Sequence, residues 1–337
     1  MTSSVALSGR LPRFGYTDRQ AAFLRLVALH SGYFVARQYD QFIGAGPGGP
    51  RRRFLVQVAA KGHVRNLPSC DRTVIYHLCA RRFYAALGIE NSRNRRPHEP
   101  FGVKTKLMTL DFVLRHPAVQ FLSTEDEKMD LTETLKLSPV ILPSKVYNAK
   151  GHASRTVRHF VDRNPIFLSP AAEGAAPVVS FAYIDASSES TAGFRTYLLQ
   201  YRSLLQALKA SRLVYVANCT QRFEQAGKDF AELLGLNEAT DPLGSVDGTR
   251  LLQHFEARAC HERGDYRSFD TEKIERLRCE LREFKGPAFD ALFGVFQSHG
   301  AGAMLAERAR LKALQRTPRV TFETELIPNS YAFLGLV

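Results

Sequence analysis

The chain lacks any CxxC pair, and no apolar run in it approaches the 18 or more residues of a membrane span. Its five cysteines (Cys70, Cys79, Cys219, Cys260 and Cys279) are scattered and odd in number. The adjacent Cys260 and His261 lack the paired spacing of a zinc site. No cysteine metal cluster is expected, and reduced thiols of a cytoplasmic protein are. The first twenty residues, "MTSSVALSGRLPRFGYTDRQ", lack an apolar core long enough for a secretory signal. A P-loop and a Rossmann glycine fingerprint are both missing, and no Ser–His–Asp or Cys–His arrangement can be assigned. Low-complexity tracts and a repeat period are absent too. The 337 residues suffice for two ordinary globular domains, or one with a large appendage, and no resident cofactor is expected.

Acidic residues are scarce in one part of the chain only. Residues 1–100 carry 16 Lys+Arg against 5 Asp+Glu, whereas the remaining 237 carry 30 against 28. The overall +13 charge therefore belongs to the first hundred residues. Such a localised field is the footprint of a nucleic-acid-binding module. A membrane partner is not expected, because no long amphipathic helix with a lysine-rich face accompanies the charge.

Within that region "YTDRQAAFLRLVALHSGY" predicts a first helix, with Thr17 and Gln20 as a capping box and Phe23, Leu26, Val27 and His30 on one face. "FVARQYDQFIG" predicts a short second helix closed by Gly44, and "PRRRFLVQVAAKG" a third with Pro50 in its first turn. "HVRNL" and "RTVIYHL" around "PSCD" read as a hairpin. Three helices and a hairpin are the order of a winged helix, whose third helix enters the major groove. The DNA contacts expected from this are Arg37, Arg51, Arg52, Arg53, Gln57 and Lys61 on the helices, with Arg65 and Arg72 on the wing. Arg93, Arg95 and Arg96 in "NSRNRRPHEP" are further expected DNA contacts, on a basic arm that tracks phosphates or reaches a minor groove, with a plain solvated linker as the alternative. A domain boundary is placed near residue 100.

Beyond it, helix, strand and acidic helix are followed by strand, strand, helix, strand, helix, which predicts a mixed sheet. This is the order of a restriction-endonuclease-like core of about residues 101–235. That core needs a carboxylate pair for Mg²⁺ and a lysine to orient water. Asp162 supplies one candidate and Asp185 another, with Lys145 or Lys150 nearby. The expected Glu-x-Lys is missing, since Ala182 stands where the Glu is wanted. The scaffold is therefore expected without the chemistry. A Mg²⁺-dependent nuclease or nickase using Asp162 and Asp185 is the alternative.

"TDRQAAFLRLVALHSGYFVARQYDQF" through "VIYHL" resembles the N-terminal winged helix of the replication-relaxation family. "SFAYIDASSES", "FRTYLLQYRSLL" and "RLVYVANCTQRFEQA" are similar to that family's sheet core. The resemblance implies an accessory double-stranded DNA-binding protein of a plasmid or integrative mobile element, acting beside recombinase or conjugation proteins. Residues 236–337 are helical in period and close with "RVTFETELIP", a strand suited to the sheet edge. The stripes Leu277, Leu281, Phe284 and Phe289, Leu292, Phe293, Phe296 read as core, with a homodimer interface second. RNA binding and a purely protein-binding module are the remaining readings. No RNP-like aromatic pattern or GXXG-type loop in context supports RNA.

Overall fold

The computed structural model describes residues 14–148, 155–162, 164–169, 177–187, 189–234, 246–267, 269–284, 287–315 and 320–336. The chain forms two compact units, residues 1–230 with 320–337, and residues 231–319. It is an α+β protein with mixed sheets.

In the first unit, α1 (Asp18–His30) starts at the expected capping box: Thr17 Oγ1 accepts from Gln20 N, and Gln20 Oε1 accepts from Thr17 N at 3.0 Å. β1 (Tyr33–Val35) occupies residues expected to open the second helix, so α2 (Ala36–Ile43) is shorter than its apolar pattern implies. Three consecutive buried residues, Tyr33, Phe34 and Val35, suit a strand covered on both faces better than a helix turn. Gly44 ends α2 at φ +64°. α3 (Gly49–Ala60), β2 (Val64–Leu67) and β3 (Ile75–Leu78) follow, and the three strands pair antiparallel in the order β1-β3-β2. Phe23, Phe34, Tyr39 and Phe54 form the aromatic centre, where Tyr39 stacks on Phe54 at 4.0 Å between ring centroids.

α4 (Arg81–Ala86) leads to a 3₁₀ turn at Arg93–Arg95 and then α5 (Pro100–Arg115). The turn is neither a loose arm nor a solvated linker. Asn94 is buried and donates through Nδ2 to the carbonyls of Ala28 and Leu29, both at 3.0 Å. The expected boundary near residue 100 is likewise no break in packing. Tyr33, Val35 and Ile75 share one apolar core with Val103, Leu107, Met108 and Phe112 of α5 and with the large sheet beyond.

That sheet contains β4 (Gln120–Leu122), β7 (Ile166–Ser169), β8 (Val178–Asp185), β9 (Ser211–Ala217) and β10 (Val320–Leu326), in the order β10-β9-β8-β7-β4. β8, β9 and β10 run parallel, while β7 and β4 are antiparallel to their neighbours. Between β4 and β7 the chain makes α6 (Glu125–Thr134) and a separate hairpin, β5 (Ser144–Asn148) with β6 (Arg155–His159). This hairpin was not expected from the sequence. α7 (Ala192–Ala207) joins β8 to β9, and α8 (Phe223–Leu234) follows β9. The closing strand adds at the sheet edge, as its alternating β-prone residues imply. Among the described residues no helix is long and apolar enough to cross a membrane.

The second unit holds α9 (Gly248–Glu262), α10 (Thr271–Glu283) and α11 (Pro287–Gln315), the last kinked at Gly300, whose φ is +80°. Asp247 and Asp270 cap the first two helices. Leu251, Phe255, Phe284, Phe289, Leu292, Phe293 and Met304 form its core. The aromatic stripes read from the sequence are thus mostly buried within this unit, with Leu281 left exposed.

Candidate nucleic-acid interface

The three arginines that open α3 divide by function. Arg51 Nη1 donates to Asp40 Oδ2 at 2.7 Å, and this pairing offsets positive charge placed against the helix dipole. Arg52 and Arg53 point outward and have no ion-pair partner among the described residues. Phe54 and Val58 are fully buried beneath them, which fixes the rotation of the helix. Val56, 62 % exposed, lies on the same outer side with Ala59 and Ala60.

The other expected contacts are distributed differently. Gln57 is half-buried, and its Nε2 donates to Gly15 O at 2.7 Å, which ties one edge of its amide to the fold. Lys61 Nζ lies 5.6 Å from the centre of the Tyr16 ring. Arg65 on β2 and Arg72 in the hairpin turn are exposed. The turn is held by Asp71, which accepts from Thr73 N at 2.6 Å, and by Cys70 N donating to Phe333 O at 2.8 Å. Arg37 is tied back into the fold, with its side chain about a third exposed. Its guanidinium forks onto the fully buried Asp111 of α5, at 2.6 and 2.7 Å. The physical reason is that Asp111 needs a cation inside the core, and α2 delivers Arg37 to it.

Arg93 donates to Tyr147 Oη at 2.8 Å, Arg95 to Glu90 O at 3.2 Å, and Arg96 is exposed. Arg82 is a further cation beside this face that sequence reasoning missed. It follows the wing, is exposed, and donates to Lys61 O at 2.6 Å.

Of the candidate carboxylates, Asp162 meets α7 and Asp185 meets β9. Asp162 precedes β7 in a turn and accepts from Tyr201 Oη at 3.1 Å. Asp185 ends β8, is buried, and accepts from Tyr215 Oη. Tyr183, Tyr197, Tyr201 and Tyr215 form a contiguous group between them, with ring centroids 4.2 to 6.0 Å apart. Enclosure by protein atoms raises the pKa of both carboxyl groups, although the outer part of Asp162 remains open to solvent. Ala182 faces the opposite side of β8, inside the α5 core. A Glu there would enter apolar packing and could not join Asp185. Among the described residues no three His, Cys, Asp or Glu side chains gather as a ligand set. Each of the two carboxylates accepts a hydrogen bond from a tyrosyl hydroxyl. Lys145 sits over Tyr147 on the separate hairpin, and Lys150 lies outside the described residues. The lysines whose charge does reach the two carboxylates are Lys128 at Asp162 and Lys104 at Asp185, neither singled out by sequence.

The five cysteine thiols are free, in keeping with the reading of unpaired cysteines. No family model, no curated protein and no solved structure matches the chain.

Proposed function

We propose that the protein binds double-stranded DNA without cleaving it, presenting the outer side of α3 to the major groove and the β2–β3 hairpin to the flanking backbone. The order α1-β1-α2-α3-β2-β3, with its small antiparallel sheet, supports reading residues 14–87 as a winged helix. The carrying observation is the pair Arg52 and Arg53, exposed at the start of α3 while the neighbouring Arg51 is tied to Asp40. Arginine suits bidentate contact with guanine, and the exposed Val56 beside the pair offers an apolar surface for a thymine methyl. Arg65 and Arg72 supply phosphate contacts.

The sheet behind this module serves as a scaffold in this reading, because its carboxylates are hydrogen-bonded by tyrosines and the Glu position faces the core. The likeness to replication-relaxation proteins adds the setting of a plasmid or integrative element, a recombinase or conjugation protein as partner, and a homodimer on a symmetric site. A mobility-shift assay on duplexes selected from a random pool tests the reading. Arg52→Ala with Arg53→Ala should weaken binding by about 1–3 kcal/mol for each base edge no longer read. Equal shifts by the double variant and the native protein would refute it.

A further inference from the structure

A second basic feature lies within the first unit, away from the α3 face. A cleft of about 740 Å³ opens between the 88–96 segment, the end of α1, α5, the start of α6 and the β5–β6 hairpin. Its volume falls in the range of ligand sites, roughly 300–1,000 Å³. Five cations line it: Arg93, Arg96, Lys106, Lys128 and Arg158. Its carboxylates are Glu90, Glu125 and Asp126. Glu125 accepts from Arg158 Nε at 2.7 Å and from His159 N at 2.8 Å, so these two charges offset each other. Beyond that pair the cleft wall holds four cations and two carboxylates, Glu90 and Asp126. His30 lies in the same wall. Burial lowers its pKa first, and Lys128, Lys106 and Arg25 push it down further, to about 3.

The walls also hold aromatic rings. Tyr147 is half-buried on β5, and the Arg93 guanidinium lies 5.6 Å from its ring centre while donating to its hydroxyl. Phe160 is buried at the cleft floor, with Lys128 Nζ 5.7 Å from its centre. Cations spread along a groove beside an aromatic ring and a guanidinium plane are the parts of a single-strand site: charge for phosphates, flat groups for bases. The concave shape and small volume suit an unpaired nucleotide and exclude a duplex.

We propose that this cleft binds nucleotide units of a single strand, with Arg96 and Lys106 at phosphates and the Tyr147–Arg93 pair stacking on a base. The inference uses neither the α3 nor the hairpin residues of the proposed duplex contact, although Arg93 and Arg96 belong to the basic arm read from the sequence. It therefore stands or falls separately from that reading.

The test is fluorescence anisotropy of the full chain with labelled oligothymidylate of twelve nucleotides, run beside a labelled duplex. Arg96→Ala with Lys106→Ala should weaken strand binding about tenfold or more, and Tyr147→Leu by about tenfold, the equivalent of one base stack. Tyr147→Leu should leave duplex affinity unchanged, and the far-UV circular dichroism of all these variants should match that of the native protein. Arg52→Ala with Arg53→Ala should do the reverse, sparing strand binding. Native protein that ignores the strand, or cleft variants that bind it as tightly as native, would overturn the proposal. Displacement of the strand by an equal concentration of thymidine monophosphate would also overturn it, in favour of a free nucleotide.

Discussion

Arg37 and Asp111 meet through two parallel hydrogen bonds of 2.6 and 2.7 Å, across 74 residues of sequence. Gln38 Nε2 and Tyr331 Oη complete the shell of the same carboxylate at 2.9 and 2.5 Å. One buried anion thereby joins α2, α5 and the chain's last described segment. It adds a polar tie to the apolar core that the N-terminal module shares with the large sheet.

Removing that anion should be costly. Asp111→Ala leaves the partly exposed Arg37 without its carboxylate and the Gln38 and Tyr331 donors unpaired, so a destabilisation of about 1–3 kcal/mol is expected. Tyr331→Phe removes a single hydrogen bond to a charged group and should cost about 1.5–3 kcal/mol. Urea denaturation measures both. A change below about 1 kcal/mol for Asp111→Ala would show that the fork does not hold the unit together.

Gly32 occupies a position that only glycine fits. Its φ is +82°, and a Cβ would stand 2.1 Å from the carbonyl oxygen of Asn94. Gly32→Ala should therefore displace the Asn94 turn and cost more than about 2 kcal/mol. A variant as stable as native, measured by thermal melting, would contradict the close approach.

Two histidines should make stability depend on pH. Burial lowers His30 to about 3 and His63 to about 4, with neighbouring cations acting in the same direction. The unfolded chain takes up these protons first, near its ordinary value of about 6.5. The stability they contribute is full above about pH 6.5 and falls away as pH drops towards 4. Asp162 and Asp185, whose pKa is raised, act in the opposite sense. His63→Gln should accordingly flatten the fall of the melting midpoint between about pH 6.5 and 4. The same slope in native and variant would contradict the assignment.

Supercoiled plasmid incubated with Mg²⁺ or Mn²⁺ should remain supercoiled. Nicking that disappears in Asp162→Asn would restore the nuclease alternative and remove the scaffold reading of the sheet.

Much of this architecture was legible in local chemistry. Thr17 and Gln20 announced α1, Gly44 the end of α2 and Pro50 the start of α3. The apolar run before Asp185 announced a strand buried on both faces, and "RVTFETELIP" an edge strand. The partners of charged groups were not legible. Nothing near Arg37 in sequence points to Asp111, so its guanidinium read as a DNA contact. Gln57 looked equally available, although Gly15 O accepts from it in the fold. The β5–β6 hairpin has too short an alternation to stand out from its surroundings. The cleft escaped notice because its lysines come from α5 and α6, helices whose sequences read only as core and acidic surface.

The central claim is that α3 meets duplex phosphates and bases through Arg52 and Arg53. The most direct test is the salt dependence of duplex affinity, native against Arg52→Ala with Arg53→Ala. If both arginines neutralise phosphates, the slope of log K against log[salt] should shrink by about 1.8, or about 0.9 for each phosphate no longer neutralised. If one reads a base edge, the slope should shrink by about 0.9 with an added weakening of sequence preference. Identical slopes and affinities for the two proteins would contradict the account.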